Sequence, residues 1–549
     1  MVTSRKNSIN LNINIAAAII TLVLSPNINK DSLIIPKVIL LFVLALYLIP
    51  KLVLNLKILM RTQQFKILTI ILLLIVTQLA IVFISSNAPF EQQLYGRTGR
   101  GLGFLTHISF LIITLATALF LKKSDLRIVV KFLVISAAIT SVYSILQSFG
   151  IDFIKWDSRT NGVIGTLGNP NFQSSFAAIA LVPAVFTFWR SKYRYYFALG
   201  FIIIFTLAIY RTQSTQGYVS SFLAICMFGT IFLWYKNRLI AIIASLLSVG
   251  VGFIAVFGML NFGPLKSYLY KISVQSRGDF WRSAMATAND NPITGVGIDS
   301  FGDSYLKYRD SIAVSHPWAE YADNAHNFFL EYAATGGYPL LILHLILIIY
   351  ILHNFISTQK RRAKFDLDLA ILFTAWVVFQ AQSVISPGSI SLMLWNSIIS
   401  GAIIGNSVLV EKSTESSITI NSNQDLTRPF SALLIIFGLI LYYPYFNTDR
   451  LQMLAMSTKN GDLAIQSAQK FPESVLRYTV ITRELLNSGL PQQALEVARS
   501  AVKFNPNSPN LWALVLINPS APINERQKAK GEILKLDPLN KEVLTYKLP

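Results

Sequence analysis

Thirteen apolar runs long enough to cross a bilayer set the terms for what this chain can fold into. They lie near residues 11–25, 37–56, 66–85, 104–121, 127–148, 172–189, 194–210, 217–235, 239–262, 337–355, 366–386, 389–410 and 430–446. A spanning helix needs about 17–25 apolar residues. In lipid the backbone must satisfy its own hydrogen bonds, so runs of this length fold as helices. Residues 1–446 are therefore read as an all-α, polytopic membrane helix bundle of about thirteen transmembrane helices. Only 13% of the 549 residues are charged, about half the roughly 25% of a soluble domain. Lipid is the solvent for most of the chain. A net charge of +20 would point to nucleic acid in a soluble protein. Here it has another origin, and no nucleic-acid partner is expected.

That origin is the excess of lysine and arginine in cytoplasmic loops of membrane proteins. With Arg5 and Lys6 in the cytoplasm, alternate short loops are cytoplasmic, and five in succession are basic. They carry Lys57/Arg61/Lys66, Lys122/Lys123/Arg127, Arg190/Lys192/Arg194, Lys236/Arg238 and Lys360/Arg361/Arg362/Lys364. The first run has a basic start and no small-residue cleavage site after it, so it reads as a retained signal-anchor helix. Outside then fall 86–103, 149–171, 211–216, the long loop 263–325, and everything after residue 446. The N-terminus is thus expected in the cytoplasm and the C-terminal part outside it. Cys226 stands alone in an apolar run, reads as a small core residue and forms no internal disulfide.

Outside loops should be poor in arginine, yet these contain Arg97, Arg100, Arg159 and Arg211. Arginines near helix ends on that face either snorkel to lipid phosphates or hold an anionic ligand. The tail, residues 447–549, is polar, helical and without spans. It repeats weakly as AIQSAQKFP, ARSAVKFNP and GEILKLDP, with Phe471, Phe504 and Leu536 falling 33 and 32 residues apart. That spacing resembles tetratricopeptide repeats. Such helical hairpins bury their faces by stacking on one another, and these are expected outside the membrane, available to a protein partner.

Three stretches carry more polar detail than a scaffold needs. In NGVIGTLGNPNFQSSF, from residue 161, Gly162, Gly165 and Gly168 make a pliable loop and Asn169-Pro170-Asn171 starts a helix. The free N–H groups there suit a phosphate; a plain capped loop is the alternative. In residues 276–308, Phe280, Trp281, Ala284, Met285 and Ala288 recur at helical spacing, as in a helix lying on the membrane surface. Arg277 shares that stripe with Trp281, and its planar fork suits a lipid-linked phosphate; snorkelling is again the alternative. The following GVGIDSFG lacks the strand and spacing of a nucleotide-binding loop. In residues 321–348, Asp323 or Asn324 is expected to cap a helix that His326 enters in its first turn. The positive helix end would keep that imidazole neutral and able to accept a proton. His107, His316, His344 and His353 are less suggestive, and no His, Cys or acidic cluster has metal-site spacing. No metal is expected.

In this order the three stretches resemble the O-antigen ligase and polymerase family of bacterial membrane glycosyltransferases. The resemblance rests on Gly165–Asn171, Arg277/Trp281, Pro292/Gly295/Gly297 and Ala325-His326-Asn327 with Glu331 and Gly336, and covers roughly residues 30–410. It implies a GT-C-like bundle in the bacterial inner membrane that performs a metal-independent, inverting transfer at the outer face, without a cofactor. The donor would be a glycan on polyprenyl pyrophosphate. The acceptor would be lipid A-core in a ligase, or another lipid-linked glycan in a polymerase. By motif match Arg277 clamps the pyrophosphate and His326 is the base. Arg211, Arg100, Asn169 and Asn171 join the expected pyrophosphate-binding set. One departure is RTQSTQGYV, where the family often has Ser-Arg-Gly: Gln216 precedes Gly217, and Arg211 stands five residues earlier.

Two other classes stay in view. A transporter of a small anion such as bicarbonate would place ionisable or helix-breaking residues inside paired spans, whereas here the polar residues cluster in outside loops. A non-catalytic assembly protein would use the tail repeats and make His326 and Arg277 dispensable.

Overall fold

The computed structural model describes residues 9–122, 125–154, 156, 163–189, 191–316, 321–362, 365–412 and 424–548. Arg5, Lys6, Lys123, Arg159, Arg190 and Lys364, invoked above for orientation or anion binding, lie outside the described residues, as do Asn161 and Gly162. The described residues form helices and turns with no strand.

Every apolar run lies on a helix. Nine of the described helices are long and apolar enough to cross a membrane: Ile35–Leu54, Gln63–Ser85, Asp125–Ser148, Arg194–Thr212, Thr215–Lys236, Arg238–Met259, Phe328–Arg361, Ile390–Val410 and Leu426–Thr458. Ile9–Leu22, Phe104–Phe120 and Leu367–Ser383 are shorter apolar helices, and Pro170–Thr187 carries the sixth run. The protein is a multi-pass membrane protein. Two runs are parts of longer helices. Residues 337–355 follow a break at Gly337 inside Phe328–Arg361, and the last run continues to Thr458, beyond the change of composition at 446.

Lipid offers no hydrophobic drive for helix association, so close backbone packing must supply it. The Phe104–Phe120 and Ile390–Lys412 helices do this through Gly401 and Gly405, one turn apart. A Cβ on Gly401 would lie 2.4 Å from the Thr114 carbonyl oxygen, and one on Gly405 would lie 2.4 Å from that of Ala118. A second tie is Lys37, buried in the Ile35–Leu54 helix. Its Nζ donates to the Thr21 carbonyl at 3.0 Å and to the Thr166 carbonyl, pinning the loop before Pro170–Thr187 onto the bundle. Arg238–Met259 is peripheral, packed mainly on Thr215–Lys236 with 6% of its apolar window buried.

The long loop is itself helical, with Ile272–Asp290 and Phe301–Tyr308 as its main pieces. The stripe on Ile272–Asp290 packs on protein: Phe280, Ser283, Ala284, Thr287 and Ala288 are buried, against Phe301–Tyr308 and Phe328–Arg361. Met285 is 49% exposed and does not belong to the buried face, because it sits at the stripe's far edge.

Beyond Thr458, the helices Gly461–Gln469, Val475–Asn487, Pro491–Phe504, Pro509–Leu516 and Ile523–Leu536 share a core of their own. The three repeated segments fall on alternate helices of this series. The unit is seated on the loops by Thr98 with Ser474 at 2.7 Å, Asn505 Nδ2 donating to Asp303 at 3.2 Å, and the buried Arg309–Asp537 pair at 2.8 Å.

The five basic loops predict the orientation, and exposed positions allow a direct check. In a Cys226→Ala background, Met285→Cys and Lys528→Cys should react with an impermeant thiol reagent in spheroplasts, whereas Arg361→Cys should react only after lysis. The reverse pattern would invert the topology.

Candidate functional site

The site begins with a broken helix. Gly337, at φ +73°, interrupts Phe328–Arg361, and Pro339 has no N–H to give. The break leaves the carbonyls of Ala334 and Thr335 without their usual intrahelical donors. The turn after Ile272–Asp290 supplies them: Val296 N donates to Ala334 O at 2.9 Å and Gly297 N to Thr335 O at 3.2 Å. In return Tyr338 N donates to Pro292 O at 2.8 Å. Gln78 Nε2 clamps both sides, donating to Ile293 O at 2.7 Å and Gly336 O at 3.0 Å. Glycine is required because a Cβ on Gly295 would lie 2.5 Å from Ala334 O, and one on Gly337 would lie 2.3 Å from Ile293 O. The Pro292/Gly295/Gly297 pattern and the downstream glycines are thus two halves of one joint. It fixes the helix carrying Arg277 against the helix that follows His326.

His326 itself precedes that helix. Asn327 is the N-cap, its Oδ1 accepting from Phe329 N at 3.0 Å and Leu330 N at 3.1 Å. The expectation that Asp323 or Asn324 caps a helix with His326 in its first turn is corrected. Asn324 instead accepts the His326 N–H at 2.8 Å, in a tight turn that puts His326 at φ +48°. The ring stacks on Phe280, with centroids 5.4 Å apart and planes 27° apart. Burial, then the positive charge of Arg277, push its pKa down to about 4, against the pull of Asp323. The lowered pKa favours the neutral imidazole, and its cause is burial and a cation instead of the expected helix end.

Arg277 lies one turn before Phe280 and Trp281. Its Nε donates to Ile385 O at 2.9 Å and its Nη1 to Ser273 O. Burial alone lowers its pKa from the ordinary arginine value. Among the described residues no carboxylate pairs with it.

Arg97 and Arg100 are placed differently. Arg97 pairs with Asp303 at 3.1 Å and donates to the Tyr321 hydroxyl at 2.7 Å. Arg100 pairs with Asp299 at 3.1 Å and Glu331 at 3.5 Å, and donates to Asp323 O at 3.3 Å. Asp299 also accepts Arg97 N at 2.8 Å and Leu102 N at 3.3 Å, which wraps the 96–103 loop around it. Burial works against the charge on Arg100, and Asp299 and Glu331 more than restore it, so its pKa is raised. Both guanidiniums are engaged by carboxylates that lie far along the chain.

Asn169 caps Pro170–Thr187 as expected, accepting from Asn171 N at 2.8 Å, and Asn171 Oδ1 accepts from Ser214 Oγ at 2.7 Å. Gln216 is buried and donates to Gln382 Oε1 at 3.0 Å. Arg211 covers the Phe149 ring at 4.4 Å, and its buried Nε has no hydrogen-bond partner among the described residues. It lines an open cavity of about 750 Å³ with Gln147, Asp152, Trp156 and Lys271. Lys271 is a residue the sequence did not single out. It precedes the helix of Arg277, six residues earlier, or roughly 9 Å along a helix axis. His316, by contrast, binds Asp279 at 2.9 Å beside the Arg282–Asp279 pair.

Residues 199–345 match the family model described as O-antigen ligase. The matched stretch holds Arg211, Lys271, Arg277, His326 and both halves of the glycine joint; Arg97, Arg100, Asn169 and Asn171 precede it. No curated protein matches the chain.

The joint should be intolerant of a methyl group. Gly337→Ala forces a side chain into a backbone conformation that costs about 1–3 kcal/mol and into contact with Ile293. It should lower the thermal midpoint in detergent and abolish activity. Gly250→Ala, in open space, should leave the midpoint unchanged.

Proposed function

We propose that this chain, a member of the O-antigen ligase family through residues 199–345, transfers a saccharide from a polyprenyl-pyrophosphate donor to a glycan or lipid acceptor at the outer face of the plasma membrane. The observation that carries the reading is Arg277, a half-buried cation that no carboxylate among the described residues pairs with, beside His326, whose pKa is lowered. A buried charge is costly unless a partner meets it. A pyrophosphate is such a partner, and the planar guanidinium can bind it through two parallel hydrogen bonds.

In the proposed step the acceptor hydroxyl oxygen attacks the anomeric carbon as the bond from that carbon to the pyrophosphate oxygen breaks, with inversion. The electron pair leaves with the polyprenyl pyrophosphate, where Arg277, Arg211 and Lys271 offset the charge. The acceptor proton passes to a ring nitrogen of His326. The leaving group is already activated, so positioning, charge stabilisation and one base suffice without a metal or cofactor. Arg100 is assigned to holding the 96–103 loop, since Asp299 and Glu331 occupy it. Asn169 and Asn171 are assigned to setting the helix start beside Ser214. The C-terminal helices are read as tetratricopeptide-like hairpins that brace the loops and present a face to a protein partner.

The transporter reading gains nothing from the buried lysines of the Ile35–Leu54 helix. Lys37 donates to Thr21 O at 3.0 Å, and Lys51 to Tyr47 O at 2.8 Å and Ser431 Oγ at 3.2 Å. Both hold helices together.

The surface glycan of a chromosomal His326→Ala strain tests the reading. Lipid-linked polymer should accumulate for a ligase, or glycan should be capped at a single repeat for a polymerase. An unchanged glycan would overturn it.

In proteoliposomes, His326→Ala should lower transfer by about 10²–10⁴-fold, the usual worth of general-base catalysis. His316→Ala should do much less. Arg277→Lys keeps the charge but loses the fork, so its rate should fall strongly at normal membrane levels.

The pH profile carries a sign. Protonating His326 removes the base, so activity falls as pH drops through its pKa, near 4 in the free protein. A bound pyrophosphate cancels the charge of Arg277 that helps to hold that pKa down. The acid limb of kcat, which reports the bound complex, should therefore lie at higher pH than that of kcat/KM. Coincident limbs would separate His326 from the anion site.

A further inference from the structure

We propose that the cavity between the loops and the C-terminal helices is a binding site for an uncharged saccharide. It encloses about 250 Å³, a little below the roughly 300–1,000 Å³ of sites for drug-sized ligands. That size suits a group the size of a monosaccharide. Its walls come from three parts of the chain: Asn87 after the Gln63–Ser85 helix, Asn291, Ser304 and Tyr308 from the long loop, and Asn505 and Asn507 from the tail.

The lining decides the class of ligand. Amides and hydroxyls each offer donors and acceptors, the pairing that a ring of hydroxyls needs. Asn507 Nδ2 donates to Asn87 O at 3.3 Å and Asn291 Nδ2 to the Tyr308 hydroxyl at 3.2 Å. The amide oxygens of both have no hydrogen-bond partner among the described residues. Charges in the wall are already engaged. Lys307 stands 4.0 Å from Asp290 and donates to Tyr308 at 3.3 Å. Asp303 is shared by Arg97, Gln92 and Asn505. A phosphate would find one cation in this wall, Lys307, which already faces Asp290, and a lipid chain would find too few apolar walls.

Position connects the cavity to the glycine joint. Gly295 and Val296, half of the glycine joint, line it. Asp303 faces Asn505 with one oxygen and Arg97 with the other, so one carboxylate separates the cavity from the arginine cluster. A glycan leading away from the reacting sugar can seat a residue there. The identity of the occupant, though not the site, rests on the transfer reading.

The probe is the repeat-unit oligosaccharide released by mild acid from the lipid-linked glycan of the same cells, free of lipid and phosphate. Saturation-transfer NMR on the full chain, in nanodiscs without sugar-based detergent, should detect its binding. Asn507→Trp and Ser304→Trp fill the cavity from opposite walls. Each should weaken binding by at least about tenfold, or about 1.4 kcal/mol, while eluting as the parent protein does. Equal binding by parent and filled proteins, or no binding by the parent, overturns the proposal. His326→Ala should retain binding while losing transfer. If it retains both while Asn507→Trp loses binding, the transfer reading fails and the saccharide site stands.

Discussion

Three backbone hydrogen bonds join the turn at Pro292–Gly297 to the break at Gly337, and the neighbouring geometry is built outward from them. The break alone would leave buried carbonyls unpaired, and each would cost free energy. The turn alone would be a loose connection between a surface helix and a bundle. Together they satisfy each other. Because backbone meets backbone with no room for a Cβ, the joint tolerates little sliding. It therefore holds the Arg277 helix and the His326 turn in one fixed relation. Rigid support of this kind is what the proposed transfer would need, since catalysis tolerates little misplacement of reacting groups.

Charge is arranged in two ways around that joint. Arg97 and Arg100 have carboxylates at hydrogen-bond distance, which tie them into the loop network. Arg277 and Arg211 are half-buried without a carboxylate partner among the described residues: one leans on carbonyls and the other on an aromatic ring. Removing a cation from water without a counter-ion is unfavourable. The proposed pyrophosphate would supply that counter-ion. Asp299 shows the converse, since burial raises its pKa even beside Arg100. The loop network is dry enough for such differences to matter.

Much of the bundle could be read from the chain because spanning helices announce themselves by length and apolarity alone, and all thirteen runs lie on helices. The Asn169 cap and the Arg277 stripe were legible for the same local reason. His326 was assigned to the right neighbourhood and the wrong conformation. Asp323, Asn324 and Asn327 are all good cap residues, and only the tight turn at Asn324 decides among them. The partners of Arg100 were not legible, because Asp299 and Glu331 lie about two hundred residues away and no local pattern links them. Lys271 was hidden similarly, its importance arising from a cavity whose other walls come from earlier helices.

The helix Gln424–Thr458 runs unbroken for 35 residues, roughly 52 Å at 1.5 Å per residue. That exceeds the roughly 30 Å of a bilayer's hydrocarbon core. Its far end leads directly into the C-terminal unit, which grips the loops through Asp303 and Arg309. A rod embedded at one end and loaded at the other acts as a lever. Packing on Ile35–Leu54 sets the tilt of such a rod, so an early helix of the bundle also fixes where the C-terminal unit meets the loops.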